Sequence, residues 1–201
     1  MREKGCALSV GLLPPDTAGD TAAMAALSDL VNTVYTEAER GIWRDAVMRT
    51  SPAELSRLTR DGQIAVAGLY GRTVGCVRVQ HLDAEASEFA MLAATPESRG
   101  IGVGRALVRF AEQHARARGS RIMQLELLTP RTWSHPVKSF LAGWYGRLGY
   151  RMVRVGTIEE FYPRVTGKLA VPCDFRVYHK DLLAGALAGS QGGSRSERGQ
   201  T

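Results

Sequence analysis

The chain has 201 residues, 44% hydrophobic and 23% charged, which suits one domain with a real core and excludes a wholly disordered chain. No run approaches the ~18 to 20 apolar residues of a membrane-crossing helix. The net charge of +6 asks for an anionic partner or for none at all; nucleic acid, an acidic membrane surface and a phosphate-bearing cofactor all fit.

The cysteines Cys6, Cys76 and Cys173 lie far apart with no Cys-x-x-Cys pair. That pattern fits neither a disulfide framework nor a metal site, and the expectation is reduced thiols in a cytoplasmic protein without bound metal. Cys6 to Leu13 is apolar but interrupted by Ser9 and Gly11 and stopped by Pro14-Pro15, so it reads as a first strand and not as a signal peptide. From about Asp20 to Tyr35, Met24, Leu27, Leu30, Val31 and Val34 recur at spacings of three and four, which predicts an amphipathic helix. Glu37 to Arg44 reads as irregular. Ser51, Pro52 and Glu54 make the start of a second helix, and Gly62 ends it.

Gln63 to Leu69 and Thr73 to His81 flank a Tyr-Gly-Arg turn and predict an antiparallel hairpin, with Glu88 to Thr95 as a further strand. A strong helix follows to about Arg118, with Val103, Leu107, Phe110, Ala111 and His114 on one face and Gly119 at its end. Arg121 to Leu128 is a strand. Val137, Leu141, Trp144, Tyr145 and Leu148 mark another helix, stopped by Gly149. Tyr150 to Val155 and Val171 to Val177 read as the last strands. The expected domain covers residues 1–184, and the Gly, Ser, Gln and Arg-rich residues 185–201 read as a flexible tail. The order predicts an α/β fold: a mixed, mostly antiparallel sheet with helices on both faces.

The informative stretch is the strand-to-helix passage Glu88 to Leu107, whose turn holds Gly100, Gly102 and Gly104 between Arg99 and Arg105. Glycines let backbone N–H groups approach a ligand, the helix N-terminus adds positive charge, and the arginines add charge-assisted bonds, so the turn suits a pyrophosphate. A nucleotide-binding P-loop needs Gly-Lys-Ser or Gly-Lys-Thr, but Arg105-Ala106 follows Gly104. A dinucleotide fold needs Gly-x-Gly-x-x-Gly directly off a first parallel strand, whereas the third glycine here comes one residue early. Neither fits.

The stretch resembles the acetyl-CoA motif of the GNAT N-acetyltransferase superfamily, Gln/Arg-x-x-Gly-x-Gly/Ala, on Arg99, Gly102 and Gly104. Trp144-Tyr-Gly-Arg-Leu-Gly-Tyr150 is similar to the family's Leu-Tyr-x-x-x-Gly-Phe element. The likeness covers roughly residues 63–155, with boundaries good to a few residues. It implies a GNAT-like acyl-CoA N-acyltransferase fold and acetyl-CoA as cosubstrate. It also implies direct acetyl transfer to a primary amine, of a small molecule or a peptide, in a ternary complex. By the resemblance, backbone groups at Leu92 and Ala94 bind the acetyl carbonyl and pantetheine arm. The turn of Arg99, Gly100, Gly102, Val103, Gly104 and Arg105 binds the pyrophosphate, and Tyr145 protonates the departing thiolate. Glu88, four residues before Leu92 and read as sharing its strand face, aligns with the family's general base; Glu126 competes for that role. Lys138 stands where relatives often carry Asn. Tyr35, Glu37, Glu39 and Trp43 are weak candidates to hold a cationic amine, with ordinary surface the favoured alternative. A CoA-binding regulatory module without turnover is the second functional reading, and nucleic-acid binding ranks last. A homodimer follows from family habit only.

Overall fold

A computed structural model describes residues 8–44, 47–162 and 167–183. Cys6 and the tail expected at 185–201 lie outside them. Strand β1 (Ser9–Leu12) leads through a 3-10 turn into α1 (Thr21–Ala38). The Asp20 carboxylate caps that helix by accepting from Ala23 N–H at 2.9 Å. The helix runs one turn past Tyr35, into residues the sequence pattern had left irregular. Helix α2 (Pro52–Arg60) begins as expected, with Ser51 Oγ accepting from Glu54 N–H at 3.2 Å and proline at its start. The Glu54 carboxylate instead takes a hydrogen bond from Thr50 Oγ1, 3.1 Å away.

Strands β2 (Ile64–Leu69) and β3 (Arg72–His81) form the hairpin. Tyr70 and Gly71 at its tip both take positive φ, 52° and 76°, as a tight two-residue turn requires. Next come β4 (Ala86–Ala94), α3 (Val103–Ala117), β5 (Ile122–Pro130), α4 (Pro136–Arg147) and β6 (Arg151–Thr157). A short helix absent from the sequence reading, α5 (Ile158–Phe161), precedes β7 (Cys173–Asp181). The seven strands order as β1-β2-β3-β4-β5-β7-β6. Every pairing is antiparallel except β4 with β5.

Burial puts core on both faces of the sheet. Val77, Val79 and Phe89 pack with Leu107 and Ala111 of α3 and Tyr145 of α4. Cys76, Met91 and Ala93 pack on the other face with Met24 and Val31 of α1 and Leu55 and Leu58 of α2. Cys76 is fully buried, which pushes its thiol up to about 12 and suits a small core residue better than a nucleophile.

Two irregularities in β4 matter for the site. Its pairing with β5 covers only Ala86 to Glu88 against Ile122 to Gln124, after which the strands part. Against β3, the register runs from Arg78↔Ala90 to Cys76↔Ala93, three steps on β4 for two on β3. This is a β-bulge, and Met91 sits in it at φ 52°, rare for a non-glycine residue. The extra residue exchanges the faces beyond it: Phe89 lies under α3, whereas Met91 lies under α1 and α2. The alternation that placed Glu88 and Leu92 on one face therefore fails. Glu88 neighbours Gln80 and Gln124 on the α1 side, while Leu92 and Ala94 share the α3 side.

Candidate active site

Helix α3 opens with Gly102 as its N-cap residue at φ 93°, preceded by Gly100 at φ 82°. Its first helical bond runs from Ala106 N–H to the Gly102 carbonyl, 2.9 Å, and no side chain caps the end. The amides of Val103, Gly104 and Arg105 thus end the helix without a partner among the described residues. Neither Gly100 nor Gly102 has an atom within 4 Å of the place a Cβ would occupy, so the turn is open. Arg99 and Arg105 are exposed beside it, while the Val103 side chain is core and contributes only its main chain. Open glycines, unpaired amides and two guanidiniums make a cradle that fits a diphosphate.

The second feature is a cavity of about 330 Å³ that passes between the parted strands. Phe89, Leu92, Leu125 and Tyr145 line it from the α3 and α4 side, and Tyr35, Glu88 and Glu126 from the α1 side. Beyond Glu88 the β5-facing edge of β4 has no strand partner among the described residues, so main-chain groups there are available to a ligand. Ala94 and the turn from Arg99 to Arg105 lie outside the cavity lining. The link is α4: the Trp144 ring lies 3.6 Å from where a Gly104 Cβ would sit, and the next residue, Tyr145, reaches the cavity. Tyr145 is 6% exposed, packs against Phe89 with ring centres 5.9 Å apart, and its hydroxyl has no hydrogen-bond partner among the described residues. Burial pushes this phenol well above its ordinary range, so it stays protonated. That preserves a hydrogen-bond donor but moves the phenol away from thiol pKa values, opposite to the tuning an efficient acid would need.

A polar ladder crosses the cavity floor. Arg78 donates to Gln80, Gln80 to Glu88, and Gln124 Nε2 to both Glu88 Oε1 (3.4 Å) and Glu126 Oε1 (3.3 Å). Tyr162 Oη completes it by donating to Glu126 Oε2, 3.0 Å. Glu88 is 4% exposed, whereas Glu126 is half-buried. Burial and the neighbouring Glu88 charge raise the Glu126 carboxyl to about 7, against the smaller opposing effects of Tyr162 and Arg49.

The weak candidates divide. Glu37 is exposed, but Tyr35, Glu39 and Trp43 all line the cavity, so they are not ordinary surface. Glu39 is nevertheless already satisfied: Lys138 Nζ lies 2.7 Å from its Oε1 and Trp43 Nε1 donates to its Oε2 at 2.7 Å. Burial alone would raise its carboxyl, but Lys138 foremost, then the Arg49 charge and the Trp43 hydrogen bond, hold it below the ordinary value. The Lys138 at the position where relatives often carry Asn thus ties α4 to the end of α1. Sequence reading missed Arg49, Arg78 and Tyr162 entirely; they follow from no local motif and meet only because three separate segments converge. Among the described residues no cluster of His, Cys, Asp and Glu could hold a metal, and no helix is long and apolar enough to cross a membrane.

Residues 60–152 match the family model described as the acetyltransferase (GNAT) domain. The fold agrees with that match: Ard1 from Thermoplasma volcanium superposes with a TM-score of 0.61 at 14% identity, covering 87% of this chain and 97% of its own. For yncA from Salmonella typhimurium, solved with acetyl-CoA, the values are 0.61, 14%, 88% and 94%. N-acetylglutamate synthase from Neisseria gonorrhoeae, solved with coenzyme A and N-acetyl-glutamate, gives 0.56 at 19% identity and 89% of this chain. The chain spans only 36% of that protein's length. Comparison with curated proteins gives no match. Residues 60–152 thus match a GNAT acetyltransferase domain model within a mixed, mostly antiparallel sheet, as the motifs led one to expect.

Proposed function

We propose that the protein transfers an acetyl group from acetyl-CoA to a primary amine, by direct transfer in a ternary complex. Bound acetyl-CoA supplies an acetyl thioester, open to attack by an amine. The observation that carries the reading is the pairing of the open glycine turn with a cavity at the split between β4 and β5. Amides of Gly100 and of Gly102 to Arg105, with the Arg99 and Arg105 side chains, hold the diphosphate, and the freed edge of β4 at Leu92 and Ala94 serves the acyl carbonyl and amide arm. Two similar structures, solved with acetyl-CoA and with coenzyme A, support the donor.

An ammonium is no nucleophile, so the acceptor must first lose a proton. Glu126, the half-buried carboxylate poised at about 7, takes it; Glu88 is the charge that keeps Glu126 poised. Glu126 is favoured over Glu88 as the base because it is the more exposed of the two and its carboxyl is the raised one. As the N–C bond forms and the C–S bond breaks, the leaving sulfur takes up the second proton shed by the attacking nitrogen, and Tyr145 Oη steadies that sulfur by donating a hydrogen bond. Thiol release should be followed over a panel of primary amines. Tyr145→Phe is expected to lower kcat by about 100-fold, the range of a positioned proton donor. An undiminished rate would remove Tyr145 from the reaction, and acetyl-CoA binding without thiol release for any amine would favour a regulatory module.

A further inference from the structure

The charges of the cavity are unusual in sign. Its floor carries Glu88 and Glu126, and neither lies within ion-pair distance of a cation among the described residues. Its wall carries Arg49, which forms no ion pair among the described residues, although the Tyr35 hydroxyl and the more distant Glu39 and Glu54, also in the lining, act on its charge. The Arg49 position is built: the buried Asn32 on α1 accepts from the backbone N–H of Arg49 at 2.7 Å and of Thr50 at 3.1 Å, and donates to the Thr50 carbonyl at 3.0 Å. The guanidinium then rests 4.9 Å from the centre of the Tyr35 ring. Arg78, the other cavity guanidinium, donates to the amide oxygens of Gln63 and Gln80 and not to a carboxylate. A simple amine leaves the arginine without a direct ion-pair partner, and a polycation is repelled by it; an acceptor with both charges gives each wall a partner in contact.

Resting on the acetyl-transfer reading above, we infer that the acceptor is a small amino acid, its carboxylate held by Arg49 and its amine delivered to Glu126. An arginine fork matches a carboxylate in two parallel bonds, which discriminates against an uncharged amide of equal size. The cavity, about 330 Å³, lies at the small end of small-molecule sites.

The test is a matched panel of the standard L-amino acids and their carboxamides, assayed by thiol release. At least one acid should exceed its amide at least tenfold in kcat/KM. Arg49→Gln should bring that ratio toward one, chiefly through KM, and Arg49→Lys should keep part of it. Amides as good as acids, or a ratio that survives in Arg49→Gln, would overturn the inference. Calorimetry of the same pairs on the CoA-loaded protein gives a readout without turnover: tighter binding of an acid than its amide supports the inference, and equal or no binding overturns it. Failure of CoA itself to bind would instead contradict the acetyl-transfer reading, and the acid–amide comparison on the CoA-free protein would then decide the inference.

Discussion

Glu126 shows how neighbours set chemistry at the scale of one residue. Burial and the Glu88 charge lift its carboxyl to about 7, so kcat/KM should rise with pH along an acid limb centred near 7. Glu88→Gln removes the like charge and should move that limb to lower pH, Tyr162→Phe removes a hydrogen bond to the carboxylate and should move it higher, and Glu126→Gln should abolish it. A limb that ignores Glu126 but vanishes in Glu88→Gln would return the base to Glu88. The same shift has a sign for stability. A raised carboxyl holds its proton more tightly in the folded chain, so its contribution falls as pH climbs from about 4.5 to about 7. Glu126→Gln should therefore melt higher than the parent at pH 8, by a margin that shrinks at pH 4; an unchanged margin would show that Glu126 is not raised. Glu88 and Tyr145 were legible in the sequence as residues worth noticing, because each lies in or beside a motif, and both line the cavity. Arg49 and Tyr162 were not, since what they share is only a position around one cavity, reached from segments over a hundred residues apart.

At the scale of elements, helix starts and turns were readable because their chemistry is local. Asp20, Ser51 and Pro52 begin helices, and Gly119 and Gly149, both at positive φ, end them. The bulge at Met91 was not readable, because nothing in Ala-Met-Leu-Ala announces an extra residue; it arises from the pairing with β3. That one residue separates the face of Glu88 from that of Leu92, putting the carboxylates on one side of the split and Leu92 on the other. The contact between α1 and α4 was equally hidden. Lys138 and Glu39, 5% and 8% exposed, form a buried pair across 99 residues of sequence. Lys138→Met strands the Glu39 charge and should cost about 3–5 kcal/mol, read from denaturant unfolding. Lys138→Met paired with Glu39→Leu should recover most of that loss. A small loss in the single variant would mean that water reaches Glu39.

For the whole molecule, the site is a consequence of a sheet that does not close. Two halves, β1 to β4 and β5 to β7, meet through three paired residues and then diverge, leaving a passage between a face covered by α3 and α4 and a face covered by α1 and α2. The charged cavity lies in that passage and the open glycine turn outside its lining, with α4 linking the two through Trp144 and Tyr145. Everything proposed for catalysis depends on a donor held by that turn. The direct measurement is a calorimetric titration of the full chain with acetyl-CoA, beside Gly102→Ala. A methyl there meets no atom, so its effect comes from the strained φ and the disturbed amides. One acetyl-CoA should bind per chain, and Gly102→Ala should weaken it at least tenfold; no binding by the parent, or equal binding by the variant, would contradict the account.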